Sequence, residues 1–177
     1  GDHRDRHSFP PRRAADLTAC EIYDVACASI WNLEGQMLMP VTEYVRENDE
    51  HRQPSPIDIS NSPIYHEALL NSRAIDASNA QEDPRTQDVA NGLEPRNVCA
   101  LLDASIRLDG QLVGVLCLEQ TGATREWLTD EVAFAGELAD QFALVINNHN
   151  RRTATSALHL FQRAVEQSAN AFLLVNC

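Results

Sequence analysis

The clearest pattern of apolar and polar positions is a pair of short stretches in the second half of the chain. The first runs from Leu101 to Leu108, the second from Gln111 to Gln120, and Asp109-Gly110 separates them. Asp-Gly is a preferred two-residue turn of β-hairpins, so the pattern predicts two antiparallel strands. With this turn, Leu102 is expected to lie opposite Cys117. The second strand is apolar on both sides, which predicts a central place in a sheet covered on both faces.

Helix and strand signals flank this hairpin on both sides. Ser62-Pro63 and Asp83-Pro84 place a capping side chain before a proline, and Thr129 precedes two acidic residues, so all three are helix start signals. The charged, proline-containing segment 46–56 is predicted to be a mobile connection outside the sheet. The predicted elements are helices over residues 14–23, 63–71 and 84–90, strands over residues 25–31 and 37–45, a short apolar segment at 74–75, and a long helix from Thr129. This mixture indicates the α+β class.

Composition and charge exclude several classes of protein. The 177 residues are 44% hydrophobic and 23% charged, and no apolar run approaches the length that spans a bilayer. A formal charge of −12 argues against a nucleic-acid partner, because phosphate binding needs a concentrated basic face. The five cysteines are scattered without a C-x-x-C pair, which argues against a disulfide scaffold or a zinc site. With no secretory signal visible, we expect a cytoplasmic location and no membrane in this fragment.

Several segments resemble one known family, the GAF domains. The run from Leu101 to Glu119 strongly resembles the late GAF hairpin, in which a strand, an Asp-Gly turn and a Gly-Val-Leu strand recur. Trp127 and the helix start at Thr129 resemble the segment that follows this hairpin in bacterial GAF sensors. Residues 65–69 and 80–85 are similar to the helix and loop beside the family's ligand pocket.

The resemblance suggests a division of the chain into three parts. Residues 1–13 are polar and are expected to be a disordered lead-in. Residues 14–150 are similar to one GAF domain. Residues 151–177 are expected to be a linker helix and the truncated start of a second domain, because residues 160–175 resemble the opening of a PAS domain.

The resemblance implies a fold and a role. It implies an α/β sandwich in which an antiparallel sheet has helices on one face and a ligand pocket on the other. It also implies a regulatory domain that senses a small molecule and dimerises within a cytoplasmic bacterial signalling protein. The GAF-then-PAS order is similar to proteins with GGDEF or EAL domains, which synthesise or degrade cyclic-di-GMP as diguanylate cyclases or phosphodiesterases; histidine kinases are the alternative. The fragment itself is not expected to be catalytic.

The candidate pocket residues flank the two short helices that precede the hairpin. Arg85 and Arg96 would favour an anionic ligand through charge-assisted hydrogen bonds. Asp103 and Glu119 on neighbouring strands form a second candidate, a carboxylate pair near the pocket. The residues predicted to border one cavity are Tyr65, Ile75, Asp76, Arg85, Arg96, Asn97, Cys99 and Leu101.

Two other functions remain open at this stage. The domain could be a ligand-free module for dimerisation and signal relay. It could also be a small redox enzyme similar to GAF-type methionine sulfoxide reductases, with Cys99 and Cys117 as candidate thiols. The histidines fall into no metal-binding pattern, and no attachment cysteine for a bilin can be assigned. No cofactor is therefore identified, and the expected ligand is an unknown small molecule.

The helix from Thr129 carries an apolar stripe that suggests a homodimer. Its apolar positions recur at spacings of three and four, as in a two-stranded coiled coil. A helix that reaches residue 150 would extend past a sheet of ordinary width, so its last apolar residues need a partner. The predicted dimer and signalling residues are Ala135, Leu138, Phe142, Val145 and Ile146.

Overall fold

The fold is taken from a computed structural model that describes residues 10–144 and 147. The chain divides into two compact units, Gly1–Ala143 and Leu144–Cys177, and nearly all described residues belong to the first. The predictions for Val145, Ile146 and the PAS-like segment lie outside the described residues.

In the described residues, seven antiparallel strands form one sheet. The strands are β1 (Cys27–Glu34), β2 (Met37–Val45), β3 (Glu50–Arg52), β4 (Ile57–Asp58), β5 (Ala74–Ala77), β6 (Val98–Leu108) and β7 (Gln111–Thr121). Their order is β3-β2-β1-β7-β6-β5, and β4 pairs with β2 outside this path. The second strand of the predicted hairpin, β7, lies between β1 and β6, which confirms its central position.

The tight turn of the hairpin forms where the sequence predicts it. Asp109 and Gly110 have φ angles of 51° and 80°, and two successive positive φ angles match the mirror-image turn that suits a twisted hairpin. Leu108 pairs with Gln111 directly beside the turn. The Asp-Gly signal therefore sets the start of the strand register.

A β-bulge then shifts the register along the rest of the hairpin. It lies opposite the step from Ile106 to Arg107, where Val113 of β7 is the extra residue, and it displaces the pairs from Ile106 to Ala100 by one residue from simple counting. Asp103 consequently pairs with Cys117, and the predicted pairing of Leu102 with Cys117 is wrong. Because directly paired residues share a face of the sheet, Asp103 and Cys117 lie on the same side.

Helices cover both faces of the sheet. α1 is tied to one face by Asp16, whose carboxylate accepts a hydrogen bond from Thr42 on β2 at 2.5 Å. Phe134 stacks on Tyr23 of α1 with ring centroids 6.1 Å apart, so α4 covers the same side. On the other face, the hydroxyl of Tyr65 on α2 reaches a carboxylate of β6. The helices are α1 (Pro10–Tyr23), α2 (Pro63–Asn71), α3 (Ala90–Leu93) and α4 (residues 129–144), with short 3₁₀ turns at Arg46–Asn48 and Glu94–Arg96.

Two local predictions were wrong. Part of the segment 46–56 belongs to the sheet, because β3 pairs with β2. The helix expected over residues 84–90 is replaced by turns, and α3 begins only at Ala90. The turn is held locally: the backbone N–H of Arg85 donates to the Asp83 carboxylate at 2.8 Å, and the Thr86 hydroxyl donates to a carbonyl at 2.7 Å. Such side-chain bonds compete with helix formation.

Candidate functional site

A cavity of about 350 Å³ lies on the α2 side of the sheet. Its volume is close to the lower end of the ~300–1,000 Å³ that ligand pockets occupy. The floor comes from β1, β6 and β7, and the walls come from residues 54–59 and from α3. The apolar lining residues are Trp31, Leu38, Ile57, Ile59, Val89, Leu93 and Leu101.

A buried carboxyl group stands at the polar end of this cavity. The side chain of Asp103 is only 3% exposed, and its Oδ2 accepts a hydrogen bond from the Tyr65 hydroxyl at 2.6 Å. Its second oxygen, Oδ1, has no hydrogen-bond partner in the described part of the chain. Burial raises the pKa of Asp103 to about 7, against the lowering effect of the bond from Tyr65.

An ion pair between the buried Glu119 and the partly exposed Arg96 lies beside this carboxyl group. Glu119 on β7 is 8% exposed, and its carboxylate accepts a hydrogen bond from the Arg96 guanidinium at 2.5 Å. Burial raises the pKa of Glu119, although Arg96 opposes that shift. Both side chains line the cavity. The polar end therefore contains two carboxyl groups and one guanidinium.

The cysteine in the cavity has the character of an inert thiol. Cys117 pairs across the hairpin with Asp103 and is 7% exposed. Burial raises the pKa of its thiol well above the ordinary value, and the nearby Asp103 acts in the same direction. A thiolate is the reactive form of cysteine, so these surroundings oppose a nucleophilic role.

Asp88 joins two walls of the cavity. Its carboxylate accepts hydrogen bonds from the backbone N–H groups of Ile64 at 2.8 Å and Tyr65 at 3.2 Å, and so caps α2. The next residue, Val89, lines the cavity. Ser62, which the sequence suggests as the cap, makes no capping hydrogen bond with its side chain.

Only part of the predicted pocket set reaches the cavity. Tyr65, Arg96 and Leu101 line it. Asp103 and Glu119, the candidate carboxylate pair, line it as well. The predicted residues outside the lining are Ile75, Asp76, Arg85, Asn97 and Cys99.

Arg85 is bound to carboxylates outside the cavity. Its guanidinium donates to Asp76 at 2.8 Å and to Asp83 at 2.7 Å. Arg96 is likewise paired, with Glu119. Since both arginines already have anionic partners, the expectation that they favour an anionic ligand is not supported.

The other predicted residues that lie outside the cavity lining stabilise the fold. Ile75 is fully buried in the apolar core. Asn97 has a φ of 54°, and its carbonyl accepts a hydrogen bond from the Gly122 N–H at 3.1 Å. The Cys99 thiol donates to the Asn97 carbonyl at 3.5 Å. These contacts hold the start of β6 in place.

Most of the apolar lining was not predicted as part of the site. Trp31 and Leu38 lie on strands far from the hairpin in sequence, and Ile59 lies between the predicted connection 46–56 and the predicted helix 63–71. They meet only because the sheet places β1 beside β7. Alternation within the predicted strands was the one signal that could have suggested them.

The predicted dimer residues occupy different environments on α4. Ala135 has no exposed surface within the described fold, so it packs inward and cannot present a free dimer surface. Leu138 and Phe142 are partly exposed. Ala139 and Ala143 extend the buried side of the helix.

Two general features of the described residues bear on function. They contain no group of three or more metal-ligating side chains placed to hold a metal ion. None of the helices in the described residues is long and apolar enough to cross a membrane.

The antiparallel sheet, its helices and the cavity define a domain of the α+β class. The sequence profile described as the GAF domain matches residues 13–146. The chain therefore belongs to the GAF domain family. A comparison with curated proteins finds no match.

Solved structures with the same fold include sensors of several kinds. The green-light-absorbing state of TePixJ, a cyanobacteriochrome domain, has a TM-score of 0.69 at 22% identity, covering 88% of this chain and 94% of that one. The GAF3 domain of Slr1393 from Synechocystis sp. PCC6803 has a TM-score of 0.66 at 16% identity, covering 81% and 95%. A domain of a sensor histidine kinase protein from Sinorhizobium meliloti 1021 has a TM-score of 0.61 at 14% identity, covering 86% and 99%. At these identities the likeness establishes the fold.

Proposed function

We propose that this GAF domain is a cytoplasmic sensor that binds a small molecule in the cavity and thereby controls an output domain. The observation that carries the proposal is the convergence of an apolar lining on a few buried polar groups. This combination is typical of small-molecule sites, where apolar walls supply affinity and a few polar groups fix orientation. One solved neighbour, JSC1_58120g3, contains bound biliverdin, so the fold is compatible with a ligand.

Native mass spectrometry of the purified protein tests whether the cavity holds a ligand. We expect a mass above that of the chain that disappears on denaturation, and a lower occupancy in the variant Leu93→Trp, which fills the cavity. Leu93 lines the cavity, whereas Leu128 is 67% exposed and outside it, so Leu128→Trp is the matched control. No bound mass in either protein, together with no thermal shift across a metabolite library, would favour the ligand-free relay module.

We propose cyclic-di-GMP synthesis or degradation as the controlled activity, on the strength of the resemblance to GAF-then-PAS proteins. A histidine kinase is the alternative, and the Sinorhizobium neighbour belongs to that class of protein. Cyclic-di-GMP measured in cells that express the gene with Leu93→Trp or Leu128→Trp distinguishes the two. A nucleotide level that follows only the cavity variant supports the proposal, and an unchanged level counts against it.

We also propose that the protein forms a homodimer through the C-terminal part of α4. The support is the apolar stripe at coiled-coil spacing and the partial exposure of Leu138 and Phe142. Val145→Glu combined with Ile146→Glu is expected to shift sedimentation from dimer to monomer. A wild-type protein that sediments as a monomer at tens of micromolar contradicts this proposal.

A redox enzyme is disfavoured by the surroundings of the cysteines. Burial keeps Cys117 in its thiol form, and Cys99 lies outside the cavity lining. Turnover of free methionine sulfoxide would reverse this conclusion.

A further inference from the structure

Oδ1 of Asp103 is an acceptor to which no donor is bonded among the described residues. The side chain is buried and lines the cavity, and its one hydrogen bond of normal geometry in the described residues involves the other oxygen. A buried polar atom without a partner is costly, so a bound molecule that supplies one gains the corresponding free energy. The missing partner is therefore expected on the ligand.

The groups around Asp103 do not supply that partner. The Tyr65 hydroxyl from α2 is used by Oδ2, and the Arg96 guanidinium is paired with Glu119. The Cys117 thiol on β7 is a weak donor: it lowers the pKa of Asp103, but it forms no hydrogen bond of normal geometry with Oδ1. On the third side, β5 places Ile75 beside Asp103, and this residue carries no polar side chain.

The charges at the polar end of the cavity also favour a ligand that carries a hydrogen-bond donor. When both carboxyl groups are ionised, Asp103 and Glu119 carry two negative charges against the single positive charge of Arg96. A cation is favoured beside such a pair, and an anion is repelled. The site thus lacks one positive, hydrogen-donating group.

We infer that the cavity binds a largely apolar molecule with one protonated nitrogen, which donates a hydrogen bond to Oδ1 of Asp103. This inference rests on the proposed sensor function and specifies its ligand class. The apolar body lies against residues such as Trp31, Leu93 and Leu101, and the charged nitrogen lies at the carboxyl end. The indole nitrogen of Trp31 is already bonded to Ser29 at 2.8 Å, so this side chain offers the ligand an apolar surface.

The inference predicts a direction for the pH dependence of binding. The ligand needs ionised Asp103, whose pKa is about 7 in this structure. The groups that face it are Tyr65, Cys117, Glu119 and Arg96, and the pKa values of the tyrosine and cysteine are raised away from the neutral range. Affinity for a cation should therefore fall about tenfold per pH unit below the pKa of Asp103. A neutral ligand that accepts a hydrogen bond from protonated Asp103 would show the opposite trend.

Three probes with the same indole body test the preference by calorimetric titration. Tryptamine carries an ammonium group, tryptophol a hydroxyl group and indole-3-acetate a carboxylate. We expect tryptamine to bind at least tenfold more tightly than tryptophol, and indole-3-acetate to bind most weakly. We also expect the affinity for tryptamine to drop about tenfold between pH 8 and pH 6, where its ammonium group remains charged.

Two matched variants locate the effect. Asp103→Asn keeps the size of the side chain and removes its charge, so it should weaken tryptamine binding tenfold or more and leave tryptophol binding within about threefold. Asp76→Asn removes a carboxylate outside the cavity lining and should change neither the affinity for tryptamine nor that for tryptophol. If Asp103→Asn fails to fold, the pH dependence of tryptamine binding to the wild-type protein tests the inference instead.

The possible outcomes separate this inference from the sensor proposal. Equal affinity for the three probes, a preference for indole-3-acetate, tighter binding at pH 6 than at pH 8, or no binding of any probe overturns the inference. A ligand seen by native mass spectrometry in those cases preserves the sensor function with a different ligand chemistry. If no probe binds and native mass spectrometry finds no ligand, both the inference and the sensor proposal are overturned.

Discussion

At the scale of single residues, the polar chemistry of the cavity depends on Asp103. A carboxyl group ordinarily ionises well below neutral pH, but burial raises this pKa to about 7. Tyr65 is the contact that limits the rise, because its hydroxyl donates to the charged form. The charge of the cavity is therefore sensitive both to pH and to any molecule that replaces or adds a donor.

Replacing Tyr65 by phenylalanine tests this relation. Tyr65→Phe removes the hydrogen bond at Asp103, so the pKa of that carboxyl should rise above its wild-type value, as measured by a carbon NMR titration. The free energy of unfolding should fall by ~1–3 kcal/mol, because a buried acceptor loses its donor. Tyr44→Phe is the control: its hydroxyl donates to Asp49 outside the cavity, so Asp103 should titrate as in the wild type. An unchanged titration in Tyr65→Phe would remove the assigned role of this hydroxyl.

Sequence reasoning identified some cavity residues and missed others for a definable reason. Tyr65 and Leu101 belong to elements whose helical or strand pattern was strong, and both line the cavity. Arg85 was expected there as a free cation, but Asp83, two residues away, holds it in a local turn. Whether an arginine pairs with a ligand or with a nearby carboxylate depends on distances in the folded chain. Sequence spacing alone does not give these distances.

At the scale of elements, one β-bulge determines which residues form the site. Counting from the Asp-Gly turn puts Asp103 and Glu119 on opposite faces of the hairpin. The bulge between Ile106 and Arg107 puts both on the cavity side. The turn and both strands followed from the sequence, whereas the bulge left no recognisable signal in the pattern. The hairpin could therefore be predicted from the sequence, but which of its side chains face the cavity could not.

The close approach of β1 to its neighbour β7 leaves no space for a side chain at Gly114. A Cβ atom built there would collide with the carbonyl oxygen of Trp31. Gly114→Ala should therefore lower the free energy of unfolding by ~1–3 kcal/mol, as overpacking does elsewhere. In the control Gly92→Ala, the added Cβ meets nothing within 4 Å and should be neutral or slightly stabilising. Equal denaturation midpoints for the two variants would contradict this account.

The capping of α2 gives a second prediction for an element. Asp88→Ala removes the acceptor for two backbone N–H groups and should cost ~0.5–2 kcal/mol in denaturant unfolding. Ser62→Ala should cost less, because the Ser62 hydroxyl makes no capping bond. The reverse order would mean that the serine suggested by the sequence is the true cap.

At the scale of the whole molecule, the raised carboxyl pKa values predict how stability varies with pH. A carboxyl whose pKa is higher in the folded state contributes most at low pH, and its contribution is lost as pH rises to the folded pKa. For Asp103 this loss falls between about pH 4 and about pH 7, with a slope of up to ~1.4 kcal/mol per pH unit. Thermal unfolding of Asp103→Asn should retain only the part of this decline that comes from Glu119. An identical decline in the variant and the wild type would show that Asp103 titrates normally.

The overall architecture was the most predictable property of the chain. The central hairpin predicted a sheet covered on both faces, and the resemblance to GAF domains implied helices on one face and a pocket on the other. The edge strand β3 was missed because three residues are too few to show alternation. A long apolar strand can be predicted from its own sequence pattern, whereas a short strand forms because of the neighbouring strand to which it pairs.

The two hydrogen bonds that the Asp88 carboxylate accepts from the start of α2 connect two parts of the cavity. Val89, on one side, is covalently attached to the capping residue, and Tyr65, on the other, is held by the cap and touches Asp103. A displacement of Val89 would therefore also displace the acceptor that holds the N-terminus of α2. A molecule that fits the apolar wall poorly would for this reason disturb the contact between Tyr65 and Asp103 as well.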